Sequence, residues 1–165
     1  MTRCPVSSVI EMTSKRLTVC RIRQEHLSGI AAIERACFSE PWSEQSLALL
    51  LGENAIGMVA LCDGVPVAYG GMLTVLDEGQ ITNIAVLPQF RRQGLGKAVL
   101  CDLTEEARSR GLAQLSLEVR VSNVGAIALY RSCGWKQAGE RKNFYRLPTE
   151  SAAIMLCDLS EPFGL

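Results

Sequence analysis

Two glycines set among cations, in Arg91-Arg92-Gln93-Gly94-Leu95-Gly96-Lys97, are the first residues of this chain whose types and spacing can do chemistry. Glycine lets backbone approach a ligand closely. Unpaired N–H groups at a helix start, aided by the helix dipole, bind anions. Arg91, Arg92 and Lys97 add charge to such a site. The spacing R-x-x-G-x-G is not that of a Walker loop, and the three-glycine dinucleotide fingerprint is missing. On its own the motif is equally compatible with a glycine-softened turn carrying solvated arginines. Other chemistries find less support. Cys4, Cys20, Cys37, Cys62, Cys101, Cys133 and Cys157 are scattered and never in C-x-x-C spacing. Zinc and dithiol sites need clustered ligands, so no metal is expected, and the thiols read as small packing groups in a reducing compartment. With His26 the only histidine, neither a His-based metal centre nor a Ser-His triad is available.

A phosphate loop needs a strand before it and a helix after it, and the flanking sequence supplies both. Gln80 to Val86 reads as a strand closed by Pro88. The residues after the glycines repeat Leu95, Val99, Leu103 and Ala107 every four positions, predicting a helix to Arg110. Gly111 follows the basic last turn, as a helix C-terminus prefers. Upstream, Leu17 to Ile22 predicts a strand, Gln24 to Ala36 a helix, and Ser43 the N-cap of a short helix through Leu51 with Gly52 at its C′ position. Pro41 breaks the chain between those helices. Ile56 to Cys62, Asp63-Gly64 and Val65 to Val75 predict a hairpin, and Asp77-Glu78-Gly79 a second turn. Downstream come a strand at Gln114 to Val119, a helix at Asn123 to Ser132 ended by Gly134, and strands at Lys136 to Arg141 and Ala152 to Leu159. The order β-α-α-β-β-β-α-β-α-β-β predicts a single α/β domain over residues 17–165, a mixed central sheet flanked by about four helices. Residues 1–16 hold Arg3, Lys15 and Arg16 against Glu11 alone, a faint transit-peptide pattern. They are expected to be a flexible N-terminal extension.

The chain is 165 residues long and 48% hydrophobic, with 17 basic and 17 acidic side chains and no net charge. That is enough apolar material for one core. A neutral chain lacks the electrostatic footprint of a nucleic-acid binder, so no direct nucleic-acid partner is expected. No apolar run reaches the roughly 18 residues of a membrane helix, so no membrane partner is expected and the setting is read as cytoplasmic. The oligomeric state is not legible, with a monomer favoured.

The R-x-x-G-x-G loop after Ile84-Ala85-Val86-Leu87-Pro88 resembles the pyrophosphate loop of the GNAT acetyltransferases, and the resemblance covers nearly the whole chain. The stretch Leu117 to Trp135, LEVRVSNVGAIALYRSCGW, is similar to the LEVR-x-SN-x-x-AI-x-LY-x-x-x-GF signature of the protein N-terminal acetyltransferases. Within that group it looks most like bacterial enzymes acting on the N-terminal alanine of a small-subunit ribosomal protein. Pro41-Trp42-Ser43, Asn83-Ile84-Ala85-Val86 and Arg141-Lys142-Asn143-Phe144-Tyr145 also match. The resemblance implies acetyl-CoA as cosubstrate and a protein N-terminus, of a ribosomal protein, as acceptor. Backbone of Ile84, Ala85 and Val86 would hold the pantetheine and acetyl carbonyl. Arg91, Arg92, Gln93, Gly94, Leu95, Gly96 and Lys97 would hold the pyrophosphate, and Asn123 would hydrogen-bond the cofactor. Glu118 would be the general base and Tyr130 the general acid. Trp42, Phe144 and Tyr145 would contact the acceptor.

These roles make chemical sense. A free α-amine has a pKa of about 7.7–8.0 and must lose a proton before attacking a thioester. A carboxylate at a strand end can take that proton, and a phenol can protonate the departing thiolate. Structural readings of the same residues stay open. Glu118 and Arg120, two apart on a strand, share a face and can form an ion pair. Tyr130 can be core, Asn123 an N-cap, and Trp42 core or the rim of a peptide groove. The chain departs from the family pattern at Phe144, where a Tyr-Tyr pair is common, at Ser151, where an acid is usual, and at Trp135 in place of Phe. The first two bear on the acceptor. A lysine or small-molecule acetyltransferase, and a CoA-binding module without turnover, are the other functional readings. Retention of Glu118 and Tyr130 together speaks against the last.

Overall fold

In the computed structural model, which describes residues 9–12 and 15–160, the turn chemistry of the first half is realised directly. Asp63 and Gly64 both take positive φ (48° and 84°), as a two-residue primed turn requires. They join β3 (Ala55–Cys62) to β4 (Val65–Val75). The next reversal sits one residue earlier than expected. Leu76 and Asp77 make it, with Leu76 at φ 54°, and β5 runs Glu78–Val86. Gly79 therefore lies in a strand, where the atoms nearest a Cβ would be Met72 Sδ at 2.5 Å and Leu115 Cδ2 at 2.7 Å. Packing, not a turn, accounts for that glycine.

The sheet has eight strands, β1 (Val9–Met12), β2 (Lys15–Arg21), β3, β4, β5, β6 (Gln114–Arg120), β7 (Lys136–Tyr145) and β8 (Glu150–Asp158), in the order β1-β2-β3-β4-β5-β6-β8-β7. Among the described residues only β5 and β6 run parallel, so the expected mixed α/β sheet is present with one strand more than anticipated. The extra strand is β1, paired antiparallel to β2 within the segment expected to be a loose extension. The two closing strands are longer than expected. A bulge between Arg141 and Tyr145, with Asn143 at φ 54°, carries β7 past the point where alternation fades in the sequence.

The first helical stretch divides into a single 3-10 turn (Gln24–His26) and α1 (Leu27–Cys37). Ser43 caps α2 (Glu44–Leu47) by accepting from Ser46 N–H, and the chain then tightens into a 3-10 turn through Leu51. Gly52 is extended (φ −75°) rather than left-handed, so its expected helix-ending role is not the one it plays. Helix α3 (Leu95–Ser109) and α4 (Val124–Ser132) complete the set of four. Two apolar clusters sandwich the sheet. Leu95, Val99, Leu100 and Leu103 of α3 and Tyr130 of α4 pack on one face, while Ile30 and Ile33 of α1 and Leu47 of α2 pack on the other. Val99 and Leu103 come so close to β4 that a Cβ at Gly70 would meet each at 2.7 Å.

Candidate active site

Strands β5 and β6 pair over only three residues, Glu78–Gln80 against Gln114–Ser116. Beyond that the pairing stops, and residues 81–86 and 117–120 form the two arms of a wedge. Strand ladders alternate their partners, so the β6-facing backbone groups of 81–86 are left to pair with something in the gap. Ile84 and Val86 are accordingly half-buried although they lie mid-sheet. A bulge in β5, between Gly71 and Met72 of the β4 register, sets the arm's orientation. It shifts the alternation so that Ile81, Ile84 and Val86 join the α3 cluster, whereas Ala85 joins the α1 cluster.

The glycine loop closes one end of the wedge. Gly94 is the N-cap of α3 at φ 80°, offers no side-chain cap, and accepts the first helical bond from Ala98 N–H. The amides of Leu95, Gly96 and Lys97 are left without helix partners. Arg92 also takes a left-handed φ of 61°. Arg92 and Lys97 are exposed and carry no ion pair among the described residues. A Cβ on Gly96 would lie 3.6 Å from Leu129 and 3.7 Å from Val86, ordinary contact, so packing does not demand glycine there. Arg91 is used differently. Its Nε donates to Val86 C=O at 3.0 Å, and Cys37 Sγ donates to the same carbonyl at 3.4 Å. Arg91 thus ties down the end of β5.

Across the wedge, β6 presents Glu118, with side-chain exposure of 16%. Its Oε1 lies 3.2 Å from Arg141 Nε on β7. The alternative of a Glu118–Arg120 pair, left open in the sequence, is not the one realised, since Arg120 engages other partners. Arg120 sits 3.3 Å from Glu150, donates to the carbonyls of Pro148 and Arg146, and lies over the Tyr145 ring at 4.4 Å. Glu150 also accepts from Ser122 N–H at 2.7 Å, and these bonds hold its carboxyl below the usual range. Glu150 was not singled out in the sequence, and its only signal was its place beside the departure at Ser151.

Tyr130 is buried on α4, 5.8 Å from the Trp135 ring. Burial, then Tyr145 and Cys133, push its hydroxyl up to about 12. Tyr145 is likewise raised to about 12, by burial first and by the Glu118 carboxylate next, with Arg120 acting in opposition. Tyr145 thus feels the Glu118 carboxylate, and Tyr130 feels Tyr145. The Tyr130 hydroxyl makes no hydrogen bond among the described residues, and it is not one of the buried polar atoms lacking a partner. Trp135 Nε1 is one of those, an indole donor left over where the family motif has Phe.

Asn123 caps α4, its Oδ1 accepting from Ala126 N–H at 3.1 Å, which leaves its amide nitrogen to donate elsewhere. Trp42 is half-buried against the α1 cluster. Phe144 is 43% exposed on the β7 bulge, its ring 5.0 Å from that of Tyr145 and edge-on to it. A depression of about 290 Å³ lies between α4 and the β7–β8 strands, lined by Val121, Val124, Ile127, Arg131, Glu140 and Ala153. Among the described residues no three His, Cys, Asp or Glu side chains cluster as metal ligands, and no helix is long and apolar enough to cross a membrane.

The profile of the Acetyltransferase (GNAT) family matches residues 27–135. The [ribosomal protein bS18]-alanine N-acetyltransferase of Escherichia coli K12 is 40% identical over 147 residues, covering 87% of this chain and 98% of that protein. The crystal structure of the ribosomal-protein-S18-alanine N-acetyltransferase from Escherichia coli superimposes with a TM-score of 0.82 at 38% identity, covering 88% of this chain and 96% of the other. The PaiA N-acetyltransferase of Thermoplasma acidophilum, solved in complex with coenzyme A, shares the fold at a TM-score of 0.72 and 13% identity, with 86% and 98% covered.

Proposed function

The chain belongs to the GNAT acetyltransferase family and is an N-acetyltransferase, and on that premise we propose that it acetylates the N-terminal α-amine of a protein. The acceptor in this reading is the alanine that begins ribosomal protein bS18, the substrate named for the Escherichia coli relative. The observation that carries the proposal is the wedge between β5 and β6, with an anion-ready loop following its β5 arm and Glu118 on its β6 arm.

The residues present fit acetyl-CoA. Unpaired amides at the start of a 15-residue helix, the left-handed Gly94 and the unpaired Arg92 and Lys97 suit a pyrophosphate. Gln93 and Leu95 complete that loop, the strand end Ile84-Ala85-Val86, unpaired with β6 though its Val86 carbonyl is held by Arg91 and Cys37, offers backbone to the pantetheine, and Asn123 has a donor to spare. Acetyl-CoA, when bound, supplies a thioester acyl group and a thiolate leaving group.

The protein's part is proton management and orientation. Glu118 removes a proton from the incoming ammonium, directly or through water. Its partner Arg141 is 59% exposed, so the pair lies toward solvent and can yield to an acceptor. Tyr130, with its hydroxyl raised to about 12, remains a phenol throughout the neutral range and can return a proton to the departing sulfur. Trp42 from the α1–α2 loop and Phe144 with Tyr145 from β7 form the two walls between which the acceptor's first residues enter.

The test is release of free CoA with three acceptors: a peptide beginning with Ala, a blocked peptide with an internal Lys, and a polyamine. The proposal predicts turnover with the first and background with the others. Equal or greater turnover with the Lys peptide or the polyamine overturns the N-terminal assignment and leaves the family assignment intact.

A further inference from the structure

Glu34 on α1 is wholly buried, yet its carboxylate meets no cation among the described residues. It meets three donors on three different elements instead. Its Oε1 accepts from the Tyr69 hydroxyl on β4 and from Asn83 Nδ2 on β5 at 2.8 Å. Its Oε2 accepts from the backbone N–H of Trp42 at 3.0 Å. Burying an ionisable group is costly unless its hydrogen-bonding capacity is filled, and an apolar side chain would fill the same space without that cost.

The donor set explains why a carboxylate is used. The Trp42 amide can only donate, and Tyr69 and Asn83 both direct donors at the other oxygen. A carboxylate accepts on both sides. An amide at position 34 would turn its NH2 toward one side or the other and leave at least one donor unpaired. The short Tyr69 contact has the same sense, since burial and the neighbouring Glu34 charge both keep that phenol protonated.

The three donors sit at positions that matter. Asn83 follows the β5 bulge at the root of the wedge arm, and it reaches the α1 side because the bulge resets the alternation. Trp42 belongs to the segment between α1 and α2. We infer that Glu34 is a positioning residue for acceptor binding, fastening the Trp42 segment to the splayed arm of β5 so that the acceptor wall and the strand beside the acyl group keep one spacing. It touches neither substrate. The inference rests on the reading of Trp42 as part of the acceptor wall.

The experiment uses the full-length chain, with Glu34→Gln and Tyr69→Phe as variants. Tyr69→Phe removes one donor, keeps the ring, and guards against failure of Glu34→Gln to fold. Two quantities are measured: KM for an Ala-starting peptide against KM for acetyl-CoA, and amide hydrogen exchange over residues 38–43 in enzyme without substrate. Loss of a hydrogen bond to a charged group corresponds to about tenfold. Glu34→Gln is expected to raise the peptide KM by about that factor, with acetyl-CoA KM nearly unchanged and faster exchange over 38–43. Tyr69→Phe should move both in the same direction by less. A folded variant with unchanged peptide KM, or with both KM values raised alike, overturns the inference, as does unchanged exchange over 38–43 in both variants. The exchange measurement needs no acceptor. It therefore separates failure of this inference from failure of the N-terminal acceptor reading, which would appear as wild-type enzyme inactive on the peptide.

Discussion

The two sides of the wedge are built by different means. The acyl-donor side consists of backbone: a strand edge released from its ladder, a helix N-terminus and two glycines. The acceptor side consists of side-chain ties over long sequence separations. Glu34 holds Trp42 and Asn83, Arg120 holds the β7–β8 connection through Arg146, Pro148 and Glu150, and Arg141 reaches back to Glu118. A backbone site tolerates many side chains and changes little, whereas a tied side-chain wall can be retuned by one substitution. Two of this chain's three departures, Phe144 and Ser151, fall on the proposed acceptor side, Trp135 lies in the core, and the glycine loop keeps the family pattern.

The largest expected effect breaks the comparison at the point both sides share. Tyr130→Phe should lower the rate by about 10²–10⁴, the usual worth of a general acid, across the whole neutral range. Acetyl-CoA and peptide KM should move little. A wild-type rate in the folded variant would remove Tyr130 from the chemistry and return it to the core alone.

On the acyl-donor side, Gly94→Val forces a β-branched residue to φ 80°. Left-handed backbone costs an ordinary residue about 1–2 kcal/mol, so the loop should reshape and the acetyl-CoA KM should rise about tenfold or more, with peptide KM far less affected. Unchanged cofactor affinity would displace the pyrophosphate from this loop. On the acceptor side, Arg120→Met and Arg141→Met should separate. Arg120 is largely buried and ties three groups, so its loss should lower Tm by several degrees and raise peptide KM. Arg141 is mostly exposed and has one carboxylate partner, Glu118, so Tm should fall less than for Arg120→Met. Equal Tm losses would show that the exposed pair carries more structure than its surroundings suggest.

The smallest effect is at alkaline pH. Tyr130 titrates near 12 when folded and near 10 when unfolded, so the folded state holds its proton more tightly. That contribution is complete below pH 10 and is lost as pH rises from 10 to 12. Tyr130→Phe should flatten the fall of Tm over that interval. An unaltered slope would mean that other groups dominate it.

How much of this was legible follows from the same division. The hairpin at Asp63-Gly64, the α3 stripe and the Asn123 cap are local signals, and each appears where its residues predict it. The glycine loop was visible as a motif, and the wedge beside it was not, since unpaired strand edges leave no periodic trace. The Glu34 network was invisible. A single acid on an apolar helix face reads as tolerated polarity until Tyr69 and Asn83, 35 and 49 residues away, are brought to it. The alternative of a Glu118–Arg120 pair is not realised for a related reason. Same-face neighbours on a strand can meet, but Arg120 has closer partners in a connection 26–30 residues downstream, and Glu118 was left to Arg141.

The most direct test of the central claim is kcat/KM for Glu118→Gln across pH, measured with Tm on the same preparations. If Glu118 deprotonates the acceptor, the variant should lose about 10²–10⁴ in rate per folded molecule, most severely at low pH where the amine is most protonated, while Tm moves little because the carboxamide keeps the side chain's shape and the lost partner, Arg141, is mostly exposed. A variant with lowered Tm and wild-type kcat/KM at every pH would contradict the account and leave Glu118 as the partner of Arg141 and nothing more.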